Sequence, residues 1–228
     1  MSKLENDLVR YLKNFITEER KKLFEEKIKA RTRYITVVLE NIFQSRNISA
    51  SIRSSDCFGI QDIHVIENDN FFEDDSEVSM GGSKWIDIKH YNKKSNNTID
   101  AINQLKKKGY KIIATSPHET DISLYDLNVN NKMAIIFGSE VNGCSHKALE
   151  LADYKMKIPM YGFTESFNIS VSVALCLQHL CYKIRNSKLN WKLNNQEKNE
   201  VMLKWLRKTI KASADIEKQF LEGNNIFS

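Results

Sequence analysis

Apolar and polar residues recur with two different periods along the chain, and the change of period predicts three parts. Residues 4–30 carry an apolar side chain at every third or fourth position with Lys and Glu between, which predicts one or two amphipathic helices. The C-terminal stretch repeats this lysine-rich helical pattern, with Trp191, Trp205 and Leu206 as apolar anchors. The predicted parts are an N-terminal helical arm at 1–34, a central domain at 35–185 and a C-terminal helical extension at 186–228.

Short apolar runs in the central domain predict strands, because they are rich in β-branched residues and bounded by Gly, Asn and Ser. They are ITVVLENI (35–42), DIHVIEN (62–68), WIDIKHY (85–91), KIIATS (111–116), MAIIFGSE (133–140) and YKMKIPM (154–160). The acidic stretch 67–77 is expected to be an exposed loop.

Helical segments separate these strands. One is predicted to open at Asn47 and end at Gly59, and another covers 98–108 with Thr98 as its N-cap and Gly109 after its last turn. Residues 170–184 are apolar nearly all round, which indicates a helix that is buried or packed in an interface.

The alternation of strands and helices predicts an α/β fold with a mostly parallel sheet and helices on both faces. Ligands of such sheets bind beyond the carboxyl ends of the strands. The segments where a site is expected are therefore those that follow the strands: 41–53, 115–118, 138–144 and 159–168.

Charge is unevenly distributed. The net charge is +5, but residues 1–34 carry ten basic and six acidic side chains and residues 183–228 carry ten and five, which leaves the 148 residues between them at −4. Basic flanks around an acidic body suggest a polyanion partner, with nucleic acid first, although two lysine-rich helices that merely solvate the surface are equally consistent with the charge alone.

Composition excludes several classes of protein. An apolar content of 41% supports a globular core and argues against global disorder. No apolar run approaches the roughly 20 residues of a membrane helix, and the charged N-terminus lacks a signal-peptide apolar segment. The four cysteines form no CxxC pair and no metal-ligand spacing, so we expect reduced thiols in a cytoplasmic protein that binds no metal.

Three polar clusters follow predicted strands. The first pairs Asn47 with Arg53, the second is GSEVNG (138–143) with Glu140 at its centre, and the third is IPMYGFTESFNISVSVAL (158–175) with Ser166 and Asn168. Each has a purely structural alternative. Asn47 is a possible helix cap, Glu140 a possible partner of a helix N-terminus, and Ser166 or Asn168 a possible cap of the apolar helix.

Together the three clusters resemble one family. N-x5-R followed by FG, then FGSE-x-x-G, then IPM-x-G-x-x-x-S-x-N-x-x-x-SVA is similar to the SPOUT superfamily of RNA methyltransferases, and more narrowly to the tRNA (guanosine-2′-O)-methyltransferases of the TrmH type. The resemblance covers about residues 36–182, including GGSKWIDI (81–88). It implies a SPOUT sheet with a C-terminal deep trefoil knot, S-adenosylmethionine as cofactor without a metal, a homodimer, and methylation of guanosine 18 in the D-loop of tRNA.

The resemblance also implies roles for individual residues. The family's catalytic and structural polar positions match Asn47, Arg53, Glu140, Ser166 and Asn168, and its cofactor pocket matches Thr115, Gly138, Ile158 and Phe167. The sequence departs from the family pattern in having Phe167 where Leu is usual, Ser139 where Gln is frequent, and Cys144 where an aliphatic residue is common.

The mechanism needs an oriented 2′-hydroxyl and a route for its proton. Guanidinium does not normally deprotonate, so our hypothesis gives Arg53 the task of holding the adjoining phosphate and stabilising the developing alkoxide. The proton passes to phosphate or water, and Asn47 is expected to orient Arg53.

RNA is expected to contact the basic flanks. Arg31 and Arg33 immediately precede the first strand and are predicted to contact phosphates near the active site. The surface extends over Lys188, Lys192, Lys204, Arg207, Lys208 and Lys211. Neither DNA nor a membrane is an expected partner. Alternatives are a ribosomal RNA or another tRNA ribose as substrate, or a SPOUT-fold RNA-binding protein without catalysis. A Rossmann dehydrogenase is disfavoured, because no GxGxxG follows the first strand.

Overall fold

The computed structural model describes residues 3–72, 75–118 and 120–225, which form two compact units. Thr32–Trp191 form an α/β unit. The described residues up to Arg31 and those from Lys192 onward form a helical unit, so the two flanking arms belong to one body rather than two.

The α/β unit is built on a seven-stranded sheet in which every described strand pair is parallel. Its strands are β1 (Ile35–Glu40), β2 (Asp62–Ile66), β3 (Asp87–Tyr91), β4 (Lys111–Thr115), β5 (Ile122–Ser123), β6 (Met133–Phe137) and β7 (Tyr154–Lys157). The order across the sheet is β3-β2-β1-β6-β4-β7-β5. The predicted α/β class is confirmed. Strand β5 was not predicted, since two residues are too few to show a period.

Helices cover both faces of this sheet. They are α3 (Ser45–Cys57), α4 (Ser76–Ser79), α5 (Asn97–Lys107), α6 (His146–Leu151) and α7 (Ile169–Arg185), with a 3-10 turn at Gly82–Lys84. Successive side chains of a strand point to opposite faces. Val37 and Leu39 accordingly pack in the core with α3 and α7, whereas Val38 packs in the core with α5 and α6.

Both predicted helix starts need correction. Helix α3 begins at Ser45, so Asn47 lies inside its first turn and is not the cap. Helix α5 is capped by Asn96, whose side chain accepts a hydrogen bond from the backbone N–H of Ile99. The Thr98 hydroxyl instead donates to the buried carboxylate of Glu40. The predicted helix ends are confirmed, because Gly59 and Gly109 have φ of 75° and 81°, which favours glycine.

The acidic segment 67–77 is less exposed than predicted. Glu67 is 4% exposed and Phe72 is 9% exposed. The buried carboxylate of Glu67 is stabilised by hydrogen bonds, since it accepts from the backbone N–H of Phe72 and from the side chain of Asn92. Residues 73 and 74 lie outside the described residues.

The helical unit packs around aromatic side chains. It consists of α1 (Lys3–Leu12), a 3-10 turn (Lys13–Phe15), α2 (Glu18–Ile28), α8 (Asn195–Thr209) and α9 (Ser213–Asn225). Phe24 meets Trp205 edge-on with ring centroids 5.4 Å apart, and Tyr11 lies 5.0 Å from Phe220. Throughout the described ranges, every helix is too short or too polar to cross a membrane.

Candidate active site

The candidate site lies along one edge of the sheet. Strands β1, β6, β4 and β7 are successive neighbours and all parallel, so their carboxyl ends open at the same edge. The segments after them contain the three polar clusters identified from the sequence. Hydrogen bonds join one side chain from each of the three clusters at this edge.

Glu140, after β6, holds the N-terminus of α3. Its Oε2 accepts from the backbone N–H of Phe43 at 3.0 Å, and its Oε1 accepts from that of Gln44 at 3.4 Å. Gln44, the residue before α3, provides no side-chain cap of its own. The carboxylate therefore satisfies donors that the helix cannot satisfy internally and complements the positive end of its dipole. Glu140 thus has the structural role that the sequence offered as an alternative, as the partner of a helix N-terminus.

The ionisation of Glu140 follows from the same contacts. Desolvation alone would raise the pKa of this carboxyl, but hydrogen bonds from Asn47 and from the backbone N–H groups of Phe43 and Gln44 outweigh it and lower the pKa below its ordinary value. Glu140 is therefore a carboxylate at neutral pH and acts as a hydrogen-bond acceptor only.

Asn47 joins the other two clusters. Its Nδ2 donates to Glu140 Oε1 at 2.7 Å, and its Oδ1 accepts from Asn168 Nδ2 at 3.0 Å. The orientation of the amide is fixed, since a carboxylate can only accept. Asn168 caps α7, and its Oδ1 accepts from the backbone N–H of Ser170 at 2.9 Å. We call these three side chains the Glu140–Asn47–Asn168 network.

Arg53 projects away from this network. Its side chain is exposed, and among the residues that the structure describes none forms a hydrogen bond or ion pair with it. Six helical positions separate it from the 7% exposed Asn47, which places the two about 120° apart around the helix axis. The expectation that Asn47 orients Arg53 is therefore corrected, because the amide of Asn47 is engaged by Glu140 and Asn168.

The matched cofactor residues lie at the ends of three adjacent strands. Thr115 ends β4 and donates its hydroxyl to the carbonyl of Ile136 at 2.9 Å. Gly138 follows β6. Ile158 follows β7 and packs against the core, while Phe167 is 41% exposed. The four positions are thus brought to the same edge as the network.

Gly138 has a structural requirement of its own. A Cβ at this position would lie 1.9 Å from the backbone carbon of Gly143 and 2.0 Å from the nitrogen of Cys144. The loop closes through paired backbone bonds between Ser139 and Gly143. Glycine is therefore required at this position by the close approach of the chain's own backbone.

Residues 158–167 have backbone groups available for a ligand. Within the described part of the chain, none of their N–H or C=O groups forms a hydrogen bond with the protein, and Pro159 alone lacks an N–H. Their side chains are exposed from Tyr161 to Phe167, and Ser166 is among them without a contact to the network. This segment suits a ligand that is bound through backbone N–H and C=O groups, because these groups need hydrogen-bond partners once a ligand shields them from water.

The predicted RNA contacts divide into two groups. Arg33 lies at the opposite, amino edge of the sheet, where its guanidinium bonds to Asp62 and Asp87 and is 15% exposed. Arg31 is 6% exposed with its guanidinium 5.3 Å from the Trp205 ring centroid. Neither is open to a phosphate in this structure. The other residues predicted to contact RNA are exposed: Lys188, Lys192, Lys204, Lys208, Lys211 and Arg207. The guanidinium of Arg207 donates hydrogen bonds to the carboxylate of Glu217.

Two residues at the same edge were missed by sequence reasoning. Glu40, at the end of β1, is 2% exposed and accepts from the hydroxyls of Thr98 and Ser145. The next residue, Asn41, has a left-handed φ of 53°. The sequence does contain a signal for these two residues, namely an acidic residue at the end of an apolar strand followed by Asn. A buried carboxylate needs hydrogen-bond donors, and Asn tolerates a left-handed backbone conformation.

Comparison with known proteins gives one concordant result. A model described as the SpoU rRNA Methylase family matches residues 34–178. A tRNA (guanosine(18)-2′-O)-methyltransferase of Borreliella burgdorferi is 45% identical over 206 residues, which cover 90% of this chain and 93% of that protein. An enzyme of the same name from Thermus thermophilus is 30% identical over 198 residues, covering 84% of this chain and 98% of that protein.

Solved structures share the fold. The A. aeolicus TrmH/SpoU tRNA modifying enzyme aligns with a TM-score of 0.75 over 85% of this chain and 98% of that one, at 22% identity. The SpoU methyltransferase AviRb from Streptomyces viridochromogenes, in complex with AdoMet, aligns with a TM-score of 0.58 over 72% of this chain and 62% of that one, at 20% identity.

Proposed function

Because the chain belongs to the SpoU rRNA methylase family, we propose that it transfers the methyl group of S-adenosylmethionine to a ribose 2′-hydroxyl of tRNA, at guanosine 18. One observation carries this proposal. The Glu140–Asn47–Asn168 network joins three sequence clusters at one sheet edge, and Arg53 on the helix that it anchors is exposed. The extensive likeness to the Borreliella burgdorferi enzyme supports the choice of tRNA and of the guanosine.

Arg53 is the residue that we assign to the reacting ribose. Its exposed guanidinium presents donors suited to a phosphate next to the target nucleotide. From there it holds the 2′-oxygen in line and stabilises negative charge as the proton leaves to phosphate or water. Helix α3 is firmly placed for this task, since Glu140 holds its N-terminus and Gly82 lies so close to the helix that an added Cβ would be 3.5 Å from the Cα of Arg53.

S-adenosylmethionine would be held by Thr115, Gly138, Ile158 and Phe167, with the unpaired backbone groups of 158–167 as its main donors and acceptors. When bound it supplies an electrophilic methyl group, so the transfer needs no metal. Asn168 joins the two functions, because it caps α7 and also holds Asn47. Ser166 lies in the segment whose shape this cap determines.

We also propose the family's homodimer and its trefoil knot for this chain. Helix α7 supports a dimer, since it buries Leu177 and Leu180 against the sheet and leaves Val171, Leu175 and Tyr182 exposed along its other face at 43%, 38% and 66%. An apolar stripe of this kind favours a protein partner, and a second copy is the one that the family implies. The knot is proposed on the resemblance of the sequence motifs to the SPOUT superfamily.

The tRNA backbone would be held by exposed cations, namely Lys188 of the α/β unit and Lys192, Lys204, Lys208 and Lys211 of the helical unit. Such contacts position RNA without reading its sequence, and they predict a steep loss of affinity with added salt. A tRNA-modifying role places the enzyme in the cytoplasm.

The test is to incubate purified protein with S-adenosylmethionine and an unmodified tRNA transcript, then to locate the product by mass spectrometry. We expect a 2′-O-methyl group at guanosine 18, and no product on a transcript with 2′-deoxyguanosine at that position. A ribosomal RNA substrate is the second candidate, because a 23S rRNA (guanosine-2′-O-)-methyltransferase of Shewanella oneidensis is 28% identical over 144 residues. Methylation of ribosomal RNA but not tRNA would reverse the choice, and no methylation of either would leave an RNA-binding protein.

A further inference from the structure

Asn41 organises a second group of side chains at the carboxyl end of β1. Its Oδ1 accepts from the backbone N–H groups of Asp69 and Asn70 at 2.9 and 3.0 Å, and its Nδ2 donates to Asp69 Oδ2 at 2.7 Å. Asn70 Nδ2 donates back to the carbonyl of Asn41 at 3.0 Å. Four bonds thus tie the loop after β2 to the end of β1, around a residue in a left-handed conformation. Unusual conformations held this firmly concentrate at functional sites.

Two aromatic rings project from this anchored backbone. Phe43 is 73% exposed, two residues after Asn41, and its backbone N–H is bonded to Glu140. Phe71 is 75% exposed and stands between Asn70 and the buried Phe72, both of which are fixed by hydrogen bonds. Large rings that are held out into solvent on a rigid backbone make a stacking surface whose order is established before a ligand arrives.

The same bonds fix a carboxylate close in sequence to both rings, since Asp69 lies two residues before Phe71 and is bonded to Asn41, two residues before Phe43. Asp69 is exposed, and only its Oδ2 is bonded within the described residues, to Asn41. A negative charge beside the candidate active site repels phosphate. It accepts hydrogen bonds well from a neutral group that carries two neighbouring N–H donors.

We propose that Phe43, Phe71 and Asp69 form the site that recognises the base of the target guanosine, an inference that rests on the proposed function. Guanine presents N1–H and the N2 amino group side by side on its Watson–Crick edge, which is the donor pattern that a carboxylate accepts. Adenine has an acceptor at N1 and is rejected. Proteins that read unpaired RNA bases combine aromatic stacking with contacts to this edge. The position suits the task, because Phe43 is bonded directly to the network that anchors the helix carrying Arg53.

Asp69→Asn tests the carboxylate, and the sign of its effect is diagnostic. Binding is measured by equilibrium titration with tRNA transcripts that carry guanosine or adenosine at position 18. We expect Asp69→Asn to weaken binding of the guanosine transcript about tenfold, because the new amide N–H₂ faces the donors of the base, and to leave the adenosine transcript unchanged or slightly tighter. If Asp69 is only a surface charge, its removal tightens both transcripts equally, which would overturn the proposal.

Glu77→Gln is the matched control. It removes one exposed negative charge from the same acidic segment and leaves the bonds of Asn41 intact. We expect no loss of guanosine preference. An equal loss in this variant would show that net charge sets the preference, and the proposal would be wrong.

Phe43→Ala and Phe71→Ala test the rings. Each is expected to weaken binding of the guanosine transcript by about fivefold or more, since a base stacked on an aromatic ring contributes substantially to single-strand binding, whereas Phe→Tyr retains it. Tyr154→Ala, at the amino end of β7 and 45% exposed, serves as a control that leaves affinity unchanged. Light scattering is run in parallel. If either Phe→Ala variant loses oligomer mass instead of RNA affinity, the rings belong to a protein interface.

The experiments distinguish failure of the base-recognition site from failure of the proposed methyltransferase function. Wild-type protein that methylates guanosine 18 while these variants keep full preference for guanosine would refute the base-recognition site alone. Wild-type protein that neither methylates nor binds tRNA would refute the proposed function.

Discussion

Arg33 and Arg53 belong to the same α/β unit, and their surroundings differ in every respect that decides what an arginine can do. At the amino edge, Arg33 is 15% exposed and bonded to Asp62 and Asp87. In the second half of helix α3, Arg53 is exposed and forms no hydrogen bond or ion pair with any described residue. The first guanidinium is committed to holding three strand ends together, and the second is available to a ligand.

The edges also differ in how their carboxylates are used. Asp62 and Asp87 neutralise a cation, whereas Glu140 accepts from neutral donors at the start of α3 and from Asn47. The guanidinium at the amino edge is therefore fully engaged by carboxylates. At the carboxyl edge the acid organises the N-terminus of α3. Arg53, further along that helix, has no described carboxylate partner, which suits the phosphate of an RNA substrate.

Arg53→Ala should give the largest effect. We expect the methylation rate to fall by about 100-fold to 1,000-fold, as when one preorganised donor to a developing oxyanion is removed. The melting temperature should stay near that of the wild type, because the side chain is exposed. Single-turnover methylation of tRNA measures the rate. Arg53→Lys is the control for geometry, and nearly full turnover in that variant would exclude the bidentate phosphate contact.

Glu140→Gln should affect both activity and stability. The neutral amide has one acceptor oxygen, so either the first turn of α3 or Asn47 loses its partner, and we expect a loss of about 1 kcal/mol in the free energy of unfolding together with a roughly tenfold slower reaction. Because the pKa of Glu140 is lowered in the folded state, its contribution is present above the unfolded pKa and is lost as pH falls through the folded value.

Denaturant titrations across pH check this sign. The stability gap between wild type and Glu140→Gln should narrow as the solution is acidified through the carboxyl range. A gap that stayed constant would mean that the charge of Glu140 contributes nothing and that the substitution acts through packing.

Arg33→Ala should reverse the profile of Arg53→Ala, with lower stability and unchanged activity per folded molecule. Asp62 and Asp87 are 18% and 25% exposed and lose their cation, for which we expect a cost of about 1–3 kcal/mol. Burial raises the pKa of Asp62 despite the opposing effect of Arg33, so protonation is easier there than in the unfolded chain. When the pKa of a carboxyl is raised by folding, the folded protein loses stability as pH rises through that pKa. The loss of stability caused by Arg33→Ala should therefore be larger at neutral pH than in acid.

Asp62→Asn in the same background is the matched variant. It should recover part of the stability lost in Arg33→Ala, since it removes the unpaired carboxylate. If Arg33→Ala slowed methylation while the protein stayed fully folded, the structural assignment of the amino edge would be wrong.

The different outcomes for the two arginines show what a sequence can predict here. The carboxyl-edge rule pointed to the three segments that supply Asn47, Glu140 and Asn168, because it depends only on parallel strand order. The capping of α7 by Asn168 was also among the local alternatives. The ion pairs of Arg33 could not be predicted, so Arg33 was assigned to the RNA surface. Its partners lie 29 and 54 residues away along the chain, and a local pattern does not reveal a pair that forms by tertiary folding. The helix start at Ser45 was missed for the same reason, since its cap is supplied by Glu140 from a distant loop.

Lys188→Ala should have the smallest effect of the set, and it separates a phosphate contact from both arginines. Lys188 is exposed, so its loss should leave stability unchanged and weaken binding to tRNA about threefold, equally for guanosine and adenosine transcripts, because a phosphate contact carries no sequence information. The slope of log affinity against log salt should become shallower by about one phosphate contact. Fluorescence anisotropy at several salt concentrations measures both quantities. A base-dependent loss would instead place Lys188 at the base-recognition surface, and an unchanged slope would remove it from the RNA interface.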